Sequence, residues 1–295
     1  MLHNIAKLPV QKVKHLYLEE AKRKPAHLGH EYIITPKHDG WYGYMDFPEC
    51  KIRSRAGREI PSLEWLSNKL RGMYKRISSL RGRLIFEILL TDVEEFSELN
   101  GILNRKYESA DNAYLVVHDF VAEWNPNIIA GTRLEMAREV VNVGKTGELV
   151  DINVLNISSD PDVWRRHVED VWDNDGEGVI CKRRLGIYTP DTKNYDLMKI
   201  KKKITTELLV VDWEYGRKDS KYKDTVGTLT CTDKAGRIYN ISGMSDFQRH
   251  EWFGNFMTIK GEVVEVEAME RSSKGKLREP RFKAIRFDKH ASEID

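Results

Sequence analysis

Short runs in which apolar and polar residues alternate dominate this chain, and they predict strands rather than long helices. Glu31–Pro36, Trp41–Phe47 and Lys51–Arg55 are rich in Ile, Tyr and Phe and are punctuated by Gly and Pro. Leu84–Leu90, Tyr114–Val121, Leu149–Ile157 and Gly178–Lys182 predict further strands. Helical spacing appears near 131–143 and 161–172. It also appears after Pro61, where Leu63, Leu66 and Leu70 share a face. Val13, Leu16 and Tyr17 predict a basic amphipathic helix over 10–24, ended before Pro25.

The texture changes after the lysine-rich segment Lys199-Ile200-Lys201-Lys202-Lys203. Beyond it the pattern gives strands at 206–214, 226–232, 237–241, 260–269 and 281–287, with one helix near 245–257. Five strands with an inserted helix suit a small OB-type barrel. The expected organisation is α+β: a larger domain over 1–203, a barrel over 204–295, and a hinge within 201–205.

Composition narrows the class. The chain has 295 residues, 48 basic against 46 acidic, a net charge of +2. That balance excludes a uniformly basic nucleic-acid coat. No apolar run is long enough to span a bilayer, and the N-terminus lacks the apolar core of a signal peptide. Cys50, Cys181 and Cys231 are widely separated, which speaks against a disulfide framework and suits a reducing cytoplasm. His27 and His30 lack nearby metal partners and read as an ordinary loop or helix end. Charge is nevertheless local. Segment 51–83 holds ten Lys/Arg against two acids, and 271–289 holds eight against two. Interleaved with aromatic residues, such patches suit a phosphate backbone better than plain solvated faces.

The sharpest local feature is Thr35-Pro36-Lys37-His38-Asp39-Gly40. Taken alone it reads equally as a β-turn with Asp-Gly at its tip. Its chemical reading is a lysine nucleophile on a loop pinned by Asp39, with Gly40 admitting a substrate closely. Further pieces follow in order: Ser54-Arg55-Ala56-Gly57, Glu87 in Leu84-Ile85-Phe86-Glu87-Ile88, and Val117-His118-Asp119-Phe120. Gly176-Glu177-Gly178-Val179-Ile180-Cys181-Lys182, Met198-Lys199-Ile200-Lys201 and the stretch Arg278 to Lys289 complete the set. As an ordered set these resemble the covalent nucleotidyltransferases, most closely the small ATP-dependent DNA ligases of phages and large DNA viruses.

The resemblance implies a nucleotidyltransferase domain of antiparallel sheets with flanking helices, then an OB-fold barrel. It implies a monomer that seals 5′-phosphate/3′-hydroxyl nicks in duplex DNA with ATP and Mg²⁺, or Mn²⁺ in its place. Lys37 is then the nucleophile. A reactive amine needs neighbouring cations that disfavour its ammonium form, a task that falls to Lys199 and Lys201. Thr35, Pro36, His118, Glu87 and Glu177 would surround the nucleotide, with Glu87 and Glu177 toward the metal or ribose. Asp39 would serve the catalytic loop, while Arg278 and Arg286 would orient the β,γ-phosphates. Arg53, Arg55, Arg58, Lys106 and Lys182 would contact DNA, Arg55 at the 5′-phosphate. Three positions depart from the family pattern. Tyr42 stands where an arginine is usual, Phe86 where a glycine is usual, and His118 where a larger aromatic stacks on adenine, with Phe120 nearby. An RNA ligase, a GTP-dependent capping enzyme and a non-catalytic OB-fold binder are the competing readings.

Overall fold

A computed structural model describes residues 10–16, 29–93, 95–125, 127–269, 271 and 275–294. The chain divides into two compact units, Met1–Lys201 and Lys202–Asp295. Among the described residues no helix is long and apolar enough to cross a membrane.

The first unit contains two five-stranded sheets. One has the order β1(Lys12–His15)-β10(Lys193–Lys201)-β9(Gly178–Arg183)-β2(Tyr32–Pro36)-β8(Asn156–Ser158). The other runs β4(Lys51–Ser54)-β3(Trp41–Phe47)-β5(Gly82–Leu90)-β6(Ala113–Ala122)-β7(Val150–Asp151). Pairing is antiparallel except where β1 meets β10 and β6 meets β7. Alternation along each strand sends one face to a helix-covered core and the other to a shared cavity.

In the second sheet, Met45, Leu84, Phe86 and Ile88 pack against Leu66 and Leu70 of α1 (Glu64–Met73). The expected leucine face is thus the buried one. The 3₁₀ turn Pro61–Leu63 precedes this helix and contributes Leu63. The sheet also meets Leu99 and Leu103 of α2 (Phe96–Leu103) and Ala137 and Val140 of α3 (Ala130–Gly144). The first sheet has its own core. Tyr32, Ile34, Val179 and Met198 enclose Trp164 and Val168 of α4 (Pro161–Asp173). Asp160 caps that helix by accepting from the Asp162 amide at 2.9 Å, and Pro161 occupies its first turn. Trp164 is fully buried edge-on to Tyr32, and its removal to alanine would cost about 3–5 kcal/mol.

Three local expectations need correction. Residues 12–15 form a strand, not the start of a helix, because Lys12-Val13-Lys14-His15 docks in parallel on β10 and Leu16 enters the first sheet's core. The remainder of the expected helix, from Tyr17, lies outside the described residues. Leu149–Ile157 is not one strand: Val150–Asp151 joins one sheet and Asn156–Ser158 the other. Helix α2 had no counterpart in the strand-dominated pattern.

The second unit holds β11(Ile204–Tyr215), β12(Val226–Thr232), β13(Ile238–Ile241), α5(Asp246–Gly254), β14(Val263–Ala268) and β15(Arg281–Ile285). Their order is β13-β12-β11-β14-β15. A parallel bridge between Ser242 and Arg281, with the Phe282 amide donating to the Ser242 carbonyl at 2.8 Å, joins the two outer strands. That contact removes the free edges and makes the sheet a barrel. Leu208, Val210, Leu229, Ile241, Val264 and Phe282 fill it, with Trp252 of α5 packed on Phe282. A capping box between Ser245 and Gln248 starts α5.

Candidate active site

The two sheets of the first unit enclose a cavity of about 630 Å³. Lys37 lies just past the end of β2, where its backbone amide donates to the Gly178 carbonyl at 2.8 Å. Its Nζ donates to Glu177 Oε2 at 2.5 Å. Lys201, at the end of β10, pairs with the other oxygen of the same carboxylate. Glu177 itself stands immediately before β9, so three chain segments converge on one carboxylate. Gly178 permits this. It has φ +143, and a Cβ there would collide with the Ile200 carbonyl oxygen. Lys199 lines the same wall one alternation earlier than Lys201, as the Lys-x-Lys pattern requires.

Glu87 faces the cavity from β5, between Phe86 and Ile88, which face the core. The sequence assigned Gly40 to substrate approach, but its neighbour is the protein itself. A Cβ at Gly40 would lie 2.6 Å from both Glu87 Cγ and the Ile88 carbonyl oxygen. The glycine therefore lets the Lys37 loop sit against β5. Thr35 lines the cavity; Pro36 pairs with Val179 in the sheet. Asp39 is half-buried on the same loop and is not among the side chains lining the cavity.

The register of β5 and β6 slips between Ile85 and Phe86, which pair with Asp119 and Val117 and leave His118 as the extra residue. The resulting bulge re-aims local side chains. His118 reaches Glu87 Oε2 at 3.2 Å and lines the cavity, whereas Phe120 is fully buried in the core and cannot stack on a base. Lys182, expected on DNA, is turned inward. Its Nζ donates to the His118 carbonyl at 2.6 Å and to Asp119 Oδ2 at 2.7 Å. Burial pushes the Lys182 amine down, with Asp119 opposing. Arg133, from α3, clamps the other side of Asp119 at 2.8 and 3.1 Å. Burial alone would push the Asp119 carboxyl up, but the Lys182 and Arg133 charges hold it below the ordinary range. His38, between Lys37 and Asp39, also lines the cavity, and burial followed by the His118 ring holds its imidazole below the usual value.

The remaining expected contacts separate. Arg55 is exposed and lines the cavity. Arg53 is occupied by Asp46 at 3.6 Å, Glu59 at 3.3 Å and the Gly57 carbonyl at 3.4 Å, so it staples a turn instead of offering a phosphate contact. Arg58 and Lys106 are exposed away from the cavity lining. In the second unit, Arg286 is bound by Asp288 through two contacts at 2.8 and 2.7 Å and by Glu207 at 2.7 Å. Arg278 is half-buried there, its carbonyl accepting from the Met269 amide. The sequence reading missed Arg133 and the direct Lys37–Glu177 contact. A charged Asp119 inside an apolar strand was the available signal for the first, since a buried carboxylate needs a cation.

The carboxylates suit a nucleotide-bound Mg²⁺. Among the described residues no three His, Cys, Asp or Glu cluster into an all-protein cage. Mg²⁺ does not need one, taking one or two carboxylates together with phosphate oxygens and water.

The second unit carries a named relationship: residues 219–286 match the family model described as DNA ligase OB-like domain. Solved structures of similar fold cover most of the chain. One called Pmar-Lig_Pre matches with TM-score 0.77 and 20% identity over 95% of this chain and 68% of that one. A structure from a structure-function study of Lig E DNA ligases, subtitled as DNA binding with a minimal scaffold, matches with TM-score 0.75 and 18% identity over 94% and 99%. The ATP-dependent DNA ligase from bacteriophage T7, in complex with ATP, gives 0.54 and 17% over 96% and 100%. No curated protein sequence matches the chain. The fold is that of the ATP-dependent DNA ligases, an α+β nucleotidyltransferase unit followed by an OB-like unit.

Proposed function

We propose that this protein is an ATP-dependent DNA ligase that seals 5′-phosphate/3′-hydroxyl nicks in duplex DNA. The observation that carries this reading is the meeting of Lys37 and Lys201 on Glu177 in a cavity whose opposite sheet presents Glu87. In the first step Lys37 Nζ leaves Glu177, gives up its ammonium proton to solvent to become the free amine, and attacks the α-phosphate of ATP. A nitrogen–phosphorus bond forms, the bond to pyrophosphate breaks, and the amine proton passes to solvent. A 5′-phosphate at the nick then takes the AMP from lysine, and the 3′-hydroxyl displaces AMP as the new phosphodiester forms. Lys199 and Lys201 offset the charge that builds on the transferring phosphate. Glu87 and Glu177 would hold Mg²⁺, or Mn²⁺, whose charge offsets that of the phosphates. His118, released from Glu87, would provide the ring against adenine. Arg278 and Arg286 would orient the leaving pyrophosphate, with residues 201–205 as the hinge between the units.

Incubation with α-labelled ATP or GTP and Mg²⁺, followed by a denaturing gel, tests the reading. Label from ATP that is lost in Lys37→Ala is the expected result. Label from GTP alone would turn the assignment to capping chemistry. No label on protein first stripped with pyrophosphate would overturn it.

A further inference from the structure

We propose that Tyr42 is a positioning residue whose ring is the platform for the Arg55 guanidinium, substituting for the arginine that the family pattern expects at position 42; this rests on the ligase reading. Tyr42 sits on β3 directly across from Glu87 and lines the cavity on the same face. Its ring is fixed from outside that sheet. Tyr188 packs against it in the buried cluster that also holds Tyr44, Ile85 and Val121, and the Tyr188 hydroxyl in turn accepts from the Gln11 backbone amide at 3.2 Å. Segments before β1 and after β9 therefore help to hold the ring by packing.

The Arg55 guanidinium lies over this ring with its carbon 5.9 Å from the centroid, the outer range of a cation–π contact. Arg55 is exposed, and a long side chain left free loses rotamer entropy when it grips a ligand. A fixed aromatic face beneath it limits that loss and leaves the donor edge of the fork free for a phosphate. The neighbouring guanidinium cannot share the task, because Arg53 is held by Asp46, Glu59 and the Gly57 carbonyl. An arginine at position 42 would add a second cation. A tyrosine instead fixes the first one, so recognition of the 5′-phosphate would depend on one ordered guanidinium.

The test is the ratio of affinities for two nicked duplexes, one with a 5′-phosphate and one with a 5′-hydroxyl at the nick. Wild type and Tyr42→Phe, which keeps the ring, are expected to prefer the phosphate by similar factors. Tyr42→Leu is expected to lose about fivefold of that preference, the scale of a cation–π contact of this exposure. In an Arg55→Ala background the same leucine change should cost nothing further. Full preference in Tyr42→Leu, equal losses in the Phe and Leu variants, or an additive loss in the Arg55→Ala background would each overturn the platform. If Tyr42→Leu does not fold, Arg55→Lys gives the second reading: it keeps the charge without the flat face and should lose at least as much preference, and an unchanged ratio would overturn the proposal. A wild type that shows no preference and takes no label from ATP would instead bring down the ligase reading itself.

Discussion

Glu177 and Glu207 each bridge two basic side chains, and the difference between them sets the candidate chemical site apart from a surface network. Glu177 joins Lys37, 140 positions earlier, to Lys201 at the end of another strand, on the wall of a cavity. Glu207 joins Arg286 at 2.7 Å to Lys289 at 2.9 Å, two neighbours on the same C-terminal segment. Glu207 also stands directly across β11 and β14 from Glu265, which approaches Arg286 at 3.6 Å. Glu267, two residues on, is shared by Lys203 at 2.7 Å and Lys283 at 3.0 Å. The barrel face is thus a ladder in which one cation meets several carboxylates. In the cavity two amines delivered by separate chain segments meet on Glu177. Redundancy of the ladder's kind stabilises a surface, whereas under the proposed ligase reading the convergence on Glu177 ties both amines to the reaction.

The comparison breaks most visibly in single-turnover adenylyl transfer. Glu177→Gln should slow label transfer from ATP by about 100- to 1,000-fold, the cost of losing one preorganised electrostatic group. Glu207→Gln should slow it less than about tenfold, because Asp288 still holds Arg286. Equal losses would mean that the barrel ladder is as much part of the chemistry as the cavity node.

The next effect is on stability, and it tests whether buried convergence beneath the cavity is equally unforgiving. Asp119 is held by Lys182 and Arg133, both largely buried. Arg133→Met should destabilise the first unit by about 3 kcal/mol, as for breaking one side of a buried ion network. Glu207→Ala should cost only about 1 kcal/mol, since Arg286 keeps Glu265 and Asp288 and both cations remain partly solvated. Urea unfolding followed separately for each unit checks both values. A loss at Arg133→Met below about 1 kcal/mol would show that Lys182 alone satisfies Asp119.

How much of this was legible in the sequence follows the same division between local and convergent features. Trp41–Phe47 and 226–232 are strands at the predicted bounds, because alternation is written within each run. The short run Lys12–His15 was read as helix because its identity as a strand is supplied by β10, far away in sequence. Leu149–Ile157 reads as one apolar stretch, and only the two sheets competing for its ends divide it. At the site, Lys37, Glu87, Glu177, Lys199 and Lys201 were all singled out by residue type and order. Sequence order does not say which carboxylate meets which amine, so the Lys37–Glu177 contact was unforeseen. His118 and Phe120, two apart, should share a face by alternation, and the bulge at His118 sends them to different environments. Lys182 looked like a DNA contact because nothing local reveals that Asp119 lies within reach.

The smallest effect is also the one that most directly distinguishes an exposed ion pair from a buried one. Arg286 hydrogen-bonds Asp288 and holds its carboxyl down at about 2, from an ordinary 3.8. A depressed carboxyl contributes stability that is present above its ordinary value and is lost as pH falls through the folded one. For Asp288 that window runs from 3.8 down to about 2. The pair is solvent-exposed, and at 1 M salt the screening length is only about 3 Å. Carboxyl carbon titration by NMR should therefore show the Asp288 midpoint rising toward 3.8 in high salt, and rising in Arg286→Ala to a value still held below 3.8 by its own backbone amide and by Lys289. Asp119 lies between Lys182 and Arg133 and is almost fully buried, so its midpoint should remain below the ordinary range at both salt concentrations. If both carboxyls moved together with salt, the buried network would be as open to water as the barrel face, and the contrast between node and ladder would lose its physical basis.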